Sequence, residues 1–444
     1  MSITLGIDIG TTKCAAVCFD TSAGKLLEAR SFAHHADQPC PAGGSEQDVR
    51  QLLDCVVKTV RSLPEEMKAR VTAIGVTGQM HSVMGQMATG CHPLVTWQDK
   101  RCGNAGLLEE FSRISGHILH DGFGAATLAR LGSQTGSWLY AATIMDHLVC
   151  LLCGNDRPVT DPANAASWGI FDCQNQQWDF SAAKALGIRQ ELLPEIRPSG
   201  SIAGKLCRQW SELLGLPENI YVTIATGDNQ ASILGTGRNP EQELFLTLGT
   251  GAQLSAVVSE EEAKHLVPGG KLEVRPFPGN RKLAVCSCLC GGKAFSWIGE
   301  TLQKILSDLD MPVPPLPELL DRADKLGLKT LTEKNNSLQM DPCFLGERGE
   351  KKRLGTISGI SLENFTIGNL AAADAEGILN NLLNSFPQEI LRTRTRLLGS
   401  GNGIRRIQCI QKLIKQKFQQ EFELLDTKEE AACGAAVLAS YGLE

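Results

Sequence analysis

The feature that most limits the fold of this chain is a strand–turn–strand pattern that occurs twice. In the first copy, apolar residues alternate along residues 3–9, the chain breaks at Gly10-Thr11-Thr12, and a second strand follows over residues 14–19. The second copy is Leu244-Phe-Leu-Thr-Leu-Gly-Thr-Gly251, which is followed by a strand over residues 254–258. A recurrence of this kind within one chain indicates a duplicated domain.

We place the domain boundary near Pro240. The chain has 444 residues, which is too many for one compact core, and two large domains or three modest ones are the usual solution. The sequence therefore predicts an N-terminal domain over residues 1–240 and a C-terminal domain over residues 241–444. We expect the two hairpin turns, one from each domain, to face each other across a cleft.

The first turn has the chemistry of a phosphate site. Glycine and threonine supply backbone N–H groups and hydroxyls, and the ammonium group of Lys13 lies beside them. Such a turn suits a polyphosphate, and Asp8 on the preceding strand suits the magnesium ion that accompanies one. An ordinary N-terminal hairpin with a glycine turn has the same composition, because short turn motifs are common. The second copy of the pattern favours the phosphate interpretation.

Charge, hydropathy and cysteine usage exclude several classes of function. The chain has 43 basic and 49 acidic residues, a net charge of −6, so a nucleic-acid partner is not expected. We find no signal peptide, and the longest apolar run, Leu148–Cys153, is too short to cross a membrane. We therefore predict a cytoplasmic protein, either monomer or homodimer, with 16 reduced cysteines. The spacing of Cys150 and Cys153 resembles a metal site but lacks a second ligand pair.

Strands alternate with helices after an opening meander. A third strand is expected over residues 26–32, an amphipathic helix over Asp48–Arg61, and a buried strand over residues 71–77. This order is typical of a mixed sheet flanked by helices. Farther along, the proline-rich residues 310–317 predict a connector, and residues 370–383 predict a helix.

The last helix carries two further signals. Thr427-Lys-Glu-Glu430 has the pattern of a capping box at its start. Alanine and glycine then dominate residues 431–439, so another element can approach this helix closely. We expect that approach to occur across a domain interface.

Two loops and one strand end carry groups that suit a polar ligand. The loops contain Trp97 with Asp99 and Trp168 with Asn164, which is the mixture of apolar face and directional hydrogen-bonding groups that a sugar needs. Core packing is the alternative for each tryptophan. Asp228 directly follows a predicted strand over residues 221–226, where it serves either an active site or a helix N-cap. Neither a P-loop nor a dinucleotide-binding glycine motif is present.

Taken together, the motifs resemble the FGGY carbohydrate kinases of the actin–hexokinase fold. The matching segments are Gly6-Ile-Asp-Ile-Gly-Thr-Thr12, Gly78-Gln-Met-His81, Gly227-Asp-Asn229, Leu248-Gly-Thr-Gly251, Gly291-Gly292 and Gly399-Ser-Gly401. Within the family, four loops look most like those of sedoheptulokinases, with xylulokinases as the nearest alternative. These loops are Leu94–Asp99, Gly122–Thr127, Asn164–Gly169 and Leu345–Arg348.

The resemblance implies an α/β chain of two duplicated ribonuclease H-like domains with mixed sheets, which transfers the γ-phosphoryl group of ATP to a ketose, such as sedoheptulose, with the aid of Mg²⁺. It implies that Asp228 is the catalytic base and that Asp8 holds the metal. The implied sugar-binding residues are Gln79, Met80, His81, Asp99 and Asn229. The implied ATP-binding residues are Thr11, Thr12, Lys13, Gly249, Thr250, Gly251, Gly291, Gly292, Gly401, Asn402 and Arg405.

One segment departs from the family pattern. After the last glycine turn the family usually has a small polar residue and often a tryptophan, whereas this chain continues Asn402-Gly-Ile-Arg-Arg406. Arg405 could stack on adenine or alter the nucleotide preference. A catalytically silent sugar sensor and an actin-like assembling protein share the fold. The first would be favoured by loss of Asp228 or of the first turn, and neither is lost.

Overall fold

The computed structural model describes residues 3–236, 239–333, 338–347, 353–425 and 428–443. The chain divides into two compact units. The first comprises Met1–Arg238, Pro276–Asn280 and Thr427–Glu444, and the second comprises Asn239–Arg275 and Arg281–Asp426. The C-terminal segment therefore belongs to the first unit, whereas the boundary drawn from the sequence assigns it to the second domain.

Strands and helices alternate along the chain. The strands are β1 (Ile3–Ile9), β2 (Lys13–Asp20), β3 (Lys25–Ala33), β4 (Asp37–Gln38), β5 (Glu46–Gln47), β6 (Val71–Gly78), β7 (Met84–Met87), β8 (Leu94–Val95), β9 (Trp138–Ala142), β10 (Val159–Thr160), β11 (Phe171–Asp172), β12 (Gln177–Trp178), β13 (Glu195–Ile196), β14 (Ile202–Lys205), β15 (Tyr221–Thr223), β16 (Thr226–Gly227), β17 (Glu243–Leu248), β18 (Ala252–Val258), β19 (Leu272–Phe277), β20 (Arg281–Cys288), β21 (Gln339–Asp341), β22 (Thr356–Ser358), β23 (Arg396–Ser400) and β24 (Glu421–Leu424). The α-helices are α1 (Val49–Arg61), α2 (Glu65–Lys68), α3 (Arg101–Asn104), α4 (Leu108–Ser115), α5 (Gly124–Leu131), α6 (Ile144–Cys153), α7 (Pro162–Ser167), α8 (Phe180–Ala185), α9 (Arg208–Leu214), α10 (Asp228–Thr236), α11 (Glu260–Lys264), α12 (Gly292–Asp308), α13 (Leu316–Glu333), α14 (Ile367–Leu383), α15 (Gln388–Thr393), α16 (Asn402–Arg406), α17 (Gln408–Lys417) and α18 (Glu430–Tyr441).

The main sheet of the first unit has the strand order β14-β15-β6-β1-β2-β3, and β16 pairs with β6 beyond the end of β15. The strands β1, β2 and β3 form an antiparallel meander, and β6 and β15 continue the sheet in parallel with β1. The alternating apolar residues of β1 are fully buried, as their pattern predicts. Asp48 caps α1 by accepting a hydrogen bond from the Gln51 N–H (3.0 Å), so this helix begins where the sequence places it.

The sheet of the second unit, β19-β20-β18-β17-β23-β24, follows the same plan. Here β17, β18 and β20 form the antiparallel meander, and β23 and β24 run parallel to β17. The inward side chains of β17, Leu244, Leu246 and Leu248, are fully buried in the core of this unit. The mixed α/β class predicted from the sequence is therefore confirmed, with the same sheet plan in both units.

The small residues of α18 allow this helix to pack tightly within the first unit. A Cβ atom on Gly6 of β1 would lie 1.8 Å from the carbonyl oxygen of Ala432, and one on Gly75 of β6 would lie 1.9 Å from that of Ala435. The close approach therefore joins helix backbone to sheet backbone inside one unit, and the domain-interface role expected for this helix is wrong. Thr427 of the predicted capping box lies outside the described residues, and Glu429 is the N-cap, in the left-handed region with φ of 57°.

Two other elements differ from the sequence prediction. The strand expected over residues 221–226 is split into β15 and β16 by residues 224 and 225, and the Ile224 N–H donates to the carbonyl of Ser201 (2.9 Å), the residue before β14. The proline-rich connector ends at residue 315, since α13 begins at Leu316. Pro317 fits there because the first turn of a helix leaves its N–H groups unused.

No helix in the described part of the chain has both the length and the apolar character needed to span a membrane. All 16 cysteines lie in described residues and carry free thiols.

Candidate active site

The carboxyl ends of three parallel strands bring the predicted catalytic residues of the first unit together. Ile9 of β1 pairs with Gly78 of β6, and Gly78 pairs with Gly227 of β16. The segments that follow these three residues are the Gly10 turn, the Gln79-Met-His segment and the start of α10 at Asp228. Because the three strands end in one row, Asp8 and Asp228 interact electrostatically although 220 positions separate them in the sequence.

Asp8 has the electrostatics of a cation ligand. Burial is the main cause that raises its pKa to about 7; the negative charges of Asp228 and Glu429 act in the same direction, and Lys13 opposes them. Its Oδ1 atom is buried and has no hydrogen-bond partner among the described residues. A divalent cation beside this oxygen would relieve both the lost hydration and the repulsion between the carboxylates. The residues at this position therefore fit a magnesium ion.

The donor set also agrees with the way in which magnesium is usually held. In the part of the chain that the structure describes, no group of three or more His, Cys, Asp or Glu side chains could hold a metal by itself. Magnesium is commonly bound by one or two carboxylates, with water and substrate phosphates as its other ligands. Asp8, with Asp228 close by, supplies such a partial set.

Side chains from three separate segments contact Thr11 in the turn after β1. The carbonyl oxygen of Thr11 lies 2.9 Å from Nε2 of His34 and accepts a hydrogen bond of 2.9 Å from Nε2 of Gln47. The hydroxyl oxygen of Thr11 accepts a hydrogen bond of 3.0 Å from the indole N–H of Trp97. These hydrogen bonds therefore hold the turn in place, whereas the side chain of Thr12 is exposed.

Lys13 forms an ion pair within the first unit. Its ammonium nitrogen lies 2.6 and 2.7 Å from the two carboxylate oxygens of Glu429, the residue that precedes α18. The pair ties the end of the turn to the C-terminal helix, across 416 positions of sequence. Its predicted contact with ATP stays a prediction.

His81 is held in an uncommon backbone conformation, with φ of 68°. Its N–H donates to the hydroxyl of Ser167 (3.0 Å), and its Nδ1 atom lies 2.7 Å from the carbonyl oxygen of Ser167. A carbonyl can only accept, so Nδ1 carries a proton. The imidazole stacks on Phe123 at 4.8 Å between ring centroids. Ser167 and Phe123 therefore fix both the backbone and the ring of His81.

Met80 and Asn229 lie next to the predicted base. A Cβ atom on Gly227 would come within 2.4 Å of Sδ of Met80, so a larger residue directly before Asp228 would require the Met80 side chain to move. The backbone N–H of Asn229 donates to Oδ1 of Asp228 (2.8 Å), which orients the carboxylate.

Gln79 and Asp99 are buried and support loops from behind. Nε2 of Gln79 donates to the carbonyl of Gly10 (3.2 Å) and to Oε1 of Gln47 (2.8 Å). The Asp99 carboxylate accepts hydrogen bonds from the Ser45 N–H (3.1 Å) and from Nε of Arg101 (2.7 Å). Their contacts with a sugar stay predictions, because both side chains are engaged within the protein.

The two tryptophans of the predicted sugar loops differ in exposure. Trp168 is 2% exposed and belongs to a hydrophobic core, so the core-packing alternative holds for this residue. Trp97 is 47% exposed and contacts the turn after β1 through its indole N–H. Arg348, in the last of the loops that carry the resemblance, lies outside the described residues.

In the second unit, the turn after β17 and the start of α12 are interlocked through backbone atoms. The N–H groups of Gly291 and Gly292 donate to the carbonyls of Thr250 and Gly249, each at 2.8 Å. A Cβ atom on Gly291 would lie 2.4 Å from the carbonyl carbon and oxygen of Gly251. Glycine is therefore required where the two segments meet, and the side chain of Thr250 remains exposed.

The glycine turn after β23 lies against the same strand end. Gly401 has φ of 94°, and a Cβ atom there would lie 2.5 Å from the carbonyl oxygen of Leu248. Asn402 begins α16 and is exposed. The guanidinium of Arg405 donates to the carbonyl of Leu425 (2.5 Å), so at least one arm of this side chain is tied to the chain's own backbone.

Sequence reasoning missed several residues that shape the site. His34 and Gln47 have no motif or periodicity that marks them. Ser167 and Glu429 lie in segments that the sequence does mark, but their contacts with His81 and Lys13 join positions far apart in sequence. The Asp161-Pro162 pair at the start of α7 does carry a local signal, since aspartate before proline is typical of a helix N-terminus.

Comparisons with known proteins agree with this geometry. Residues 3–235 match the model of the N-terminal domain of the FGGY family of carbohydrate kinases. The chain is 30% identical to the sedoheptulokinase of Mus musculus, with 98% of this chain and 97% of that protein covered. The sedoheptulokinase of Homo sapiens is also 30% identical, with the same coverage. The solved structure of a xylulose kinase from Rhodospirillum rubrum is 21% identical, has a TM-score of 0.84, and is covered over 90% of its length by 100% of this chain.

The duplicated mixed sheets and the glycine–threonine turns are those of an ATP-dependent carbohydrate kinase with the actin–hexokinase fold. The chain belongs to the FGGY family of carbohydrate kinases. The family, fold and kinase class predicted from the sequence are confirmed.

Proposed function

We propose that the protein phosphorylates sedoheptulose to sedoheptulose 7-phosphate with ATP as donor. The observation that carries this proposal is the interaction of Asp8 and Asp228 at the ends of the two strands that flank β6, the strand that leads into His81. Similarity to the two mammalian sedoheptulokinases over nearly the whole chain supports the choice of sugar. The reaction is assigned to the cytoplasm, and the active form to a monomer or homodimer.

Asp228 serves as the general base in this proposal. Phosphoryl transfer requires in-line positioning and neutralisation of charge, and little covalent chemistry is left to the protein. The sugar hydroxyl attacks the γ-phosphorus, its O–P bond forms as the bond to the ADP oxygen breaks, and Asp228 accepts the hydroxyl proton. The backbone N–H of Asn229 holds one oxygen of this carboxylate in place, 2.8 Å away.

Asp8 is the residue that would hold Mg²⁺. When bound, the ion neutralises negative charge on the phosphates. The hydroxyls and N–H groups of the two turns would bind the phosphates, from Thr11, Thr12 and Lys13 in the first unit and from Gly249, Thr250 and Gly251 in the second. The nucleoside would lie against Gly291, Gly292, Gly401, Asn402 and Arg405.

The sugar-binding set proposed is Gln79, Met80, His81, Asp99 and Asn229. His81 is the best supported of these residues, because its ring is already oriented by Ser167 and Phe123. The imidazole would bond to a sugar hydroxyl, and Met80 would cover an apolar part of the sugar. Gln79 and Asp99 would either support the residues that contact the sugar or bind the sugar themselves after their present hydrogen bonds break.

A panel of ketoses tests the choice of substrate. ADP release is measured with sedoheptulose, xylulose and ribulose, and with glycerol as a polyol. We expect sedoheptulose to give the highest kcat/KM. Turnover of xylulose in preference would reassign the enzyme to the alternative substrate, and no turnover with any five- or seven-carbon ketose would refute the proposal.

The base assignment has its own test. Asp228→Ala should lower kcat by about 10²–10⁴-fold, the usual contribution of a general base, with the Kd of ATP unchanged. Asp172→Ala is the matched control, because this aspartate serves only a turn, where it accepts from the Gln174 and Asn175 N–H groups. Substantial residual activity in Asp228→Ala would show that another group takes the proton.

A further inference from the structure

Asp161 is a buried carboxylate that is bonded to two elements of the candidate site. It is 0% exposed and caps α7, where Oδ1 accepts a hydrogen bond from the Asn164 N–H (2.8 Å). Oδ2 accepts hydrogen bonds from the hydroxyls of Thr226 (2.7 Å) and Ser199 (2.6 Å). One side chain therefore joins the start of α7 to β16, 65 positions farther along the chain.

The bond to Thr226 restrains the strand that leads into the proposed base. Thr226 and Gly227 form β16, and Asp228 follows at once as the first residue of α10. The carbonyl of Thr226 also accepts a hydrogen bond of 2.8 Å from the hydroxyl of Thr77 on β6. Thr226 is thus held by its backbone from one side and by its side chain from Asp161.

The cap on α7 restrains His81. Ser167 ends this six-residue helix, and both of its contacts to His81 described above depend on where the helix lies. The hydroxyl of Ser167 also donates to the carbonyl of Asn164 (2.7 Å), the residue whose N–H is bound by Asp161. Because His81 has a positive φ, which is costly for a residue with a side chain, it depends on this external support.

We propose that Asp161 is a positioning residue that couples the proposed base Asp228 to the proposed sugar ligand His81. The roles of these two residues rest on the proposed function, whereas the coupling itself rests on the hydrogen bonds of Asp161. A single fully buried carboxylate fixes β16 and α7 relative to each other, so the base and the sugar ligand keep one separation.

The first test uses an isosteric variant. In Asp161→Asn only one oxygen remains as acceptor, and it can serve either the Asn164 N–H or the two hydroxyls. We expect kcat to fall by about 10–100-fold, because small displacements of a catalytic group are costly. KM for the sugar should rise by up to about tenfold, and KM for ATP should stay within about twofold, because Asp161 contacts neither phosphate turn.

Two further variants test separately the contact with the strand of Asp228 and the contact with His81. Thr226→Val removes the bond to the strand of Asp228 and should lower kcat with little change in KM for the sugar. Ser167→Ala removes the hydroxyl that accepts from the His81 N–H and should raise KM for the sugar with little change in kcat. Asp179→Asn is the matched control, because Asp179 caps α8 in the same way, by accepting from the Ala182 N–H (2.9 Å).

Hydrogen exchange of the free enzyme provides a readout that does not need turnover. Asp161→Asn should speed amide exchange in both residues 79–83 and residues 226–232, and Asp179→Asn should change neither. Unchanged exchange in both segments, or a loss of thermal stability with KM and kcat at wild-type values, would overturn the coupling. Faster exchange in both segments, in an enzyme whose wild type phosphorylates no ketose, would uphold the coupling and refute the proposed function.

Discussion

The two glycine–threonine turns have the same place in their sheets but are held in different ways. The turn after β1 is held mainly by side chains, since His34, Gln47 and Trp97 contact Thr11 and Gln79 donates to the Gly10 carbonyl. The backbone N–H of His34 adds one hydrogen bond to the Thr12 carbonyl (3.3 Å). The turn after β17 is held by backbone, through N–H groups of residues 291–293 that donate to its carbonyls. A duplicated scaffold has therefore acquired two kinds of support, one sensitive to changes of side chain and the other sensitive to added bulk.

The strands before the turns differ in charge. Asp8 pairs with Ala15 and Thr77, and Thr247 occupies the corresponding position of the second sheet. Both residues lie two positions before the glycine of their turn, but Thr247 is an exposed hydroxyl that bonds to Ser400 (3.0 Å). The sheet plan was duplicated, whereas the carboxylate that fits a cation is found at only one of these two positions.

The largest effect should come from this pair of positions. Asp8→Asn keeps the shape of the side chain and removes its charge, so we expect kcat to fall by about 10²–10³-fold, the size of effect seen when one electrostatic contact to a transition state is lost. The magnesium concentration needed for half-maximal activity should also rise. Steady-state rates across a magnesium titration measure both quantities.

Thr247→Val is the matched change in the second sheet. It removes a hydroxyl at the surface and should leave kcat within about threefold of wild type. If both variants lost activity to the same degree, the two strands would share the metal-holding task, and the asymmetry argued from Asp8 would be wrong.

The second turn should be most sensitive to bulk at Gly291. A Cβ atom there would lie 2.4 Å from backbone atoms of Gly251, so Gly291→Ala must displace one of the two interlocked segments. Overpacking of this kind costs about 1–3 kcal/mol, which would weaken ATP binding by about 10–100-fold if the displaced turn binds the phosphates. Calorimetric titration with ATP measures the change.

Two control variants test whether the loss of ATP affinity comes from the added Cβ atom on Gly291. A Cβ atom on Gly136 has no heavy atom within 4 Å, so Gly136→Ala should be silent. Lys293→Ala removes a side chain that is paired with Glu300 (2.6 Å) but keeps the backbone contacts of the second turn. A loss of ATP affinity in Lys293→Ala that equals the loss in Gly291→Ala would show that side chains support the second turn as well.

The contrast between the turns also shows which parts of the molecule could be predicted. Both hairpins, α1 and the small-residue face of α18 follow from local pattern, since each signal lies within a dozen residues. The packing of α18 against the first sheet does not follow from local pattern. The Lys13–Glu429 pair and the close approach of Gly6 to Ala432 join opposite ends of the chain. Asp161 was readable as a cap, whereas its bond to Thr226 depends on how β16 lies against β6.

The same distinction applies to the site residues. Asp8 and Asp228 are marked by their positions at strand ends, and the structure brings them together. Asp99 and Gln79 were chosen by resemblance, and their present hydrogen bonds run to neighbouring loops. A motif identifies residues that lie near the site, but only the three-dimensional contacts show which atoms remain available to a ligand.

The charge on the first strand should also make the stability of the enzyme depend on pH. The pKa of Asp8 is raised from its ordinary value of 3.8 to about 7, so the folded protein binds this proton more tightly than the unfolded chain. The resulting stabilisation is present below pH 4 and is lost as the pH rises to about 7. We expect a loss of about 2 kcal/mol, roughly half of the full pKa change, because Asp8 keeps some contact with solvent, which screens its charge.

Denaturant unfolding in the presence of a chelator measures this loss. The free energy of unfolding of Asp8→Asn should equal that of wild type at pH 4 and exceed it at pH 8. When magnesium replaces the chelator, the difference at pH 8 should become smaller. An equal dependence on pH in both proteins would assign the effect to other carboxylates, such as the buried Asp146, whose pKa is raised to about 8.

The smallest effect should come from the side-chain support of the first turn. Trp97→Phe keeps an aromatic ring and removes the N–H that donates to the Thr11 hydroxyl (3.0 Å). One neutral hydrogen bond contributes about 0.5–1.5 kcal/mol, so KM for ATP should rise by about two- to tenfold with kcat less affected. Trp178→Phe is the control, because its indole N–H donates to the Pro194 carbonyl (2.8 Å) in the interior, and its loss should lower the melting temperature but not change KM. An unchanged KM in Trp97→Phe would mean that His34, Gln47 and Gln79 hold the turn without the indole, and the contrast between the two turns would then rest on the carbonyls of Gly10 and Thr11.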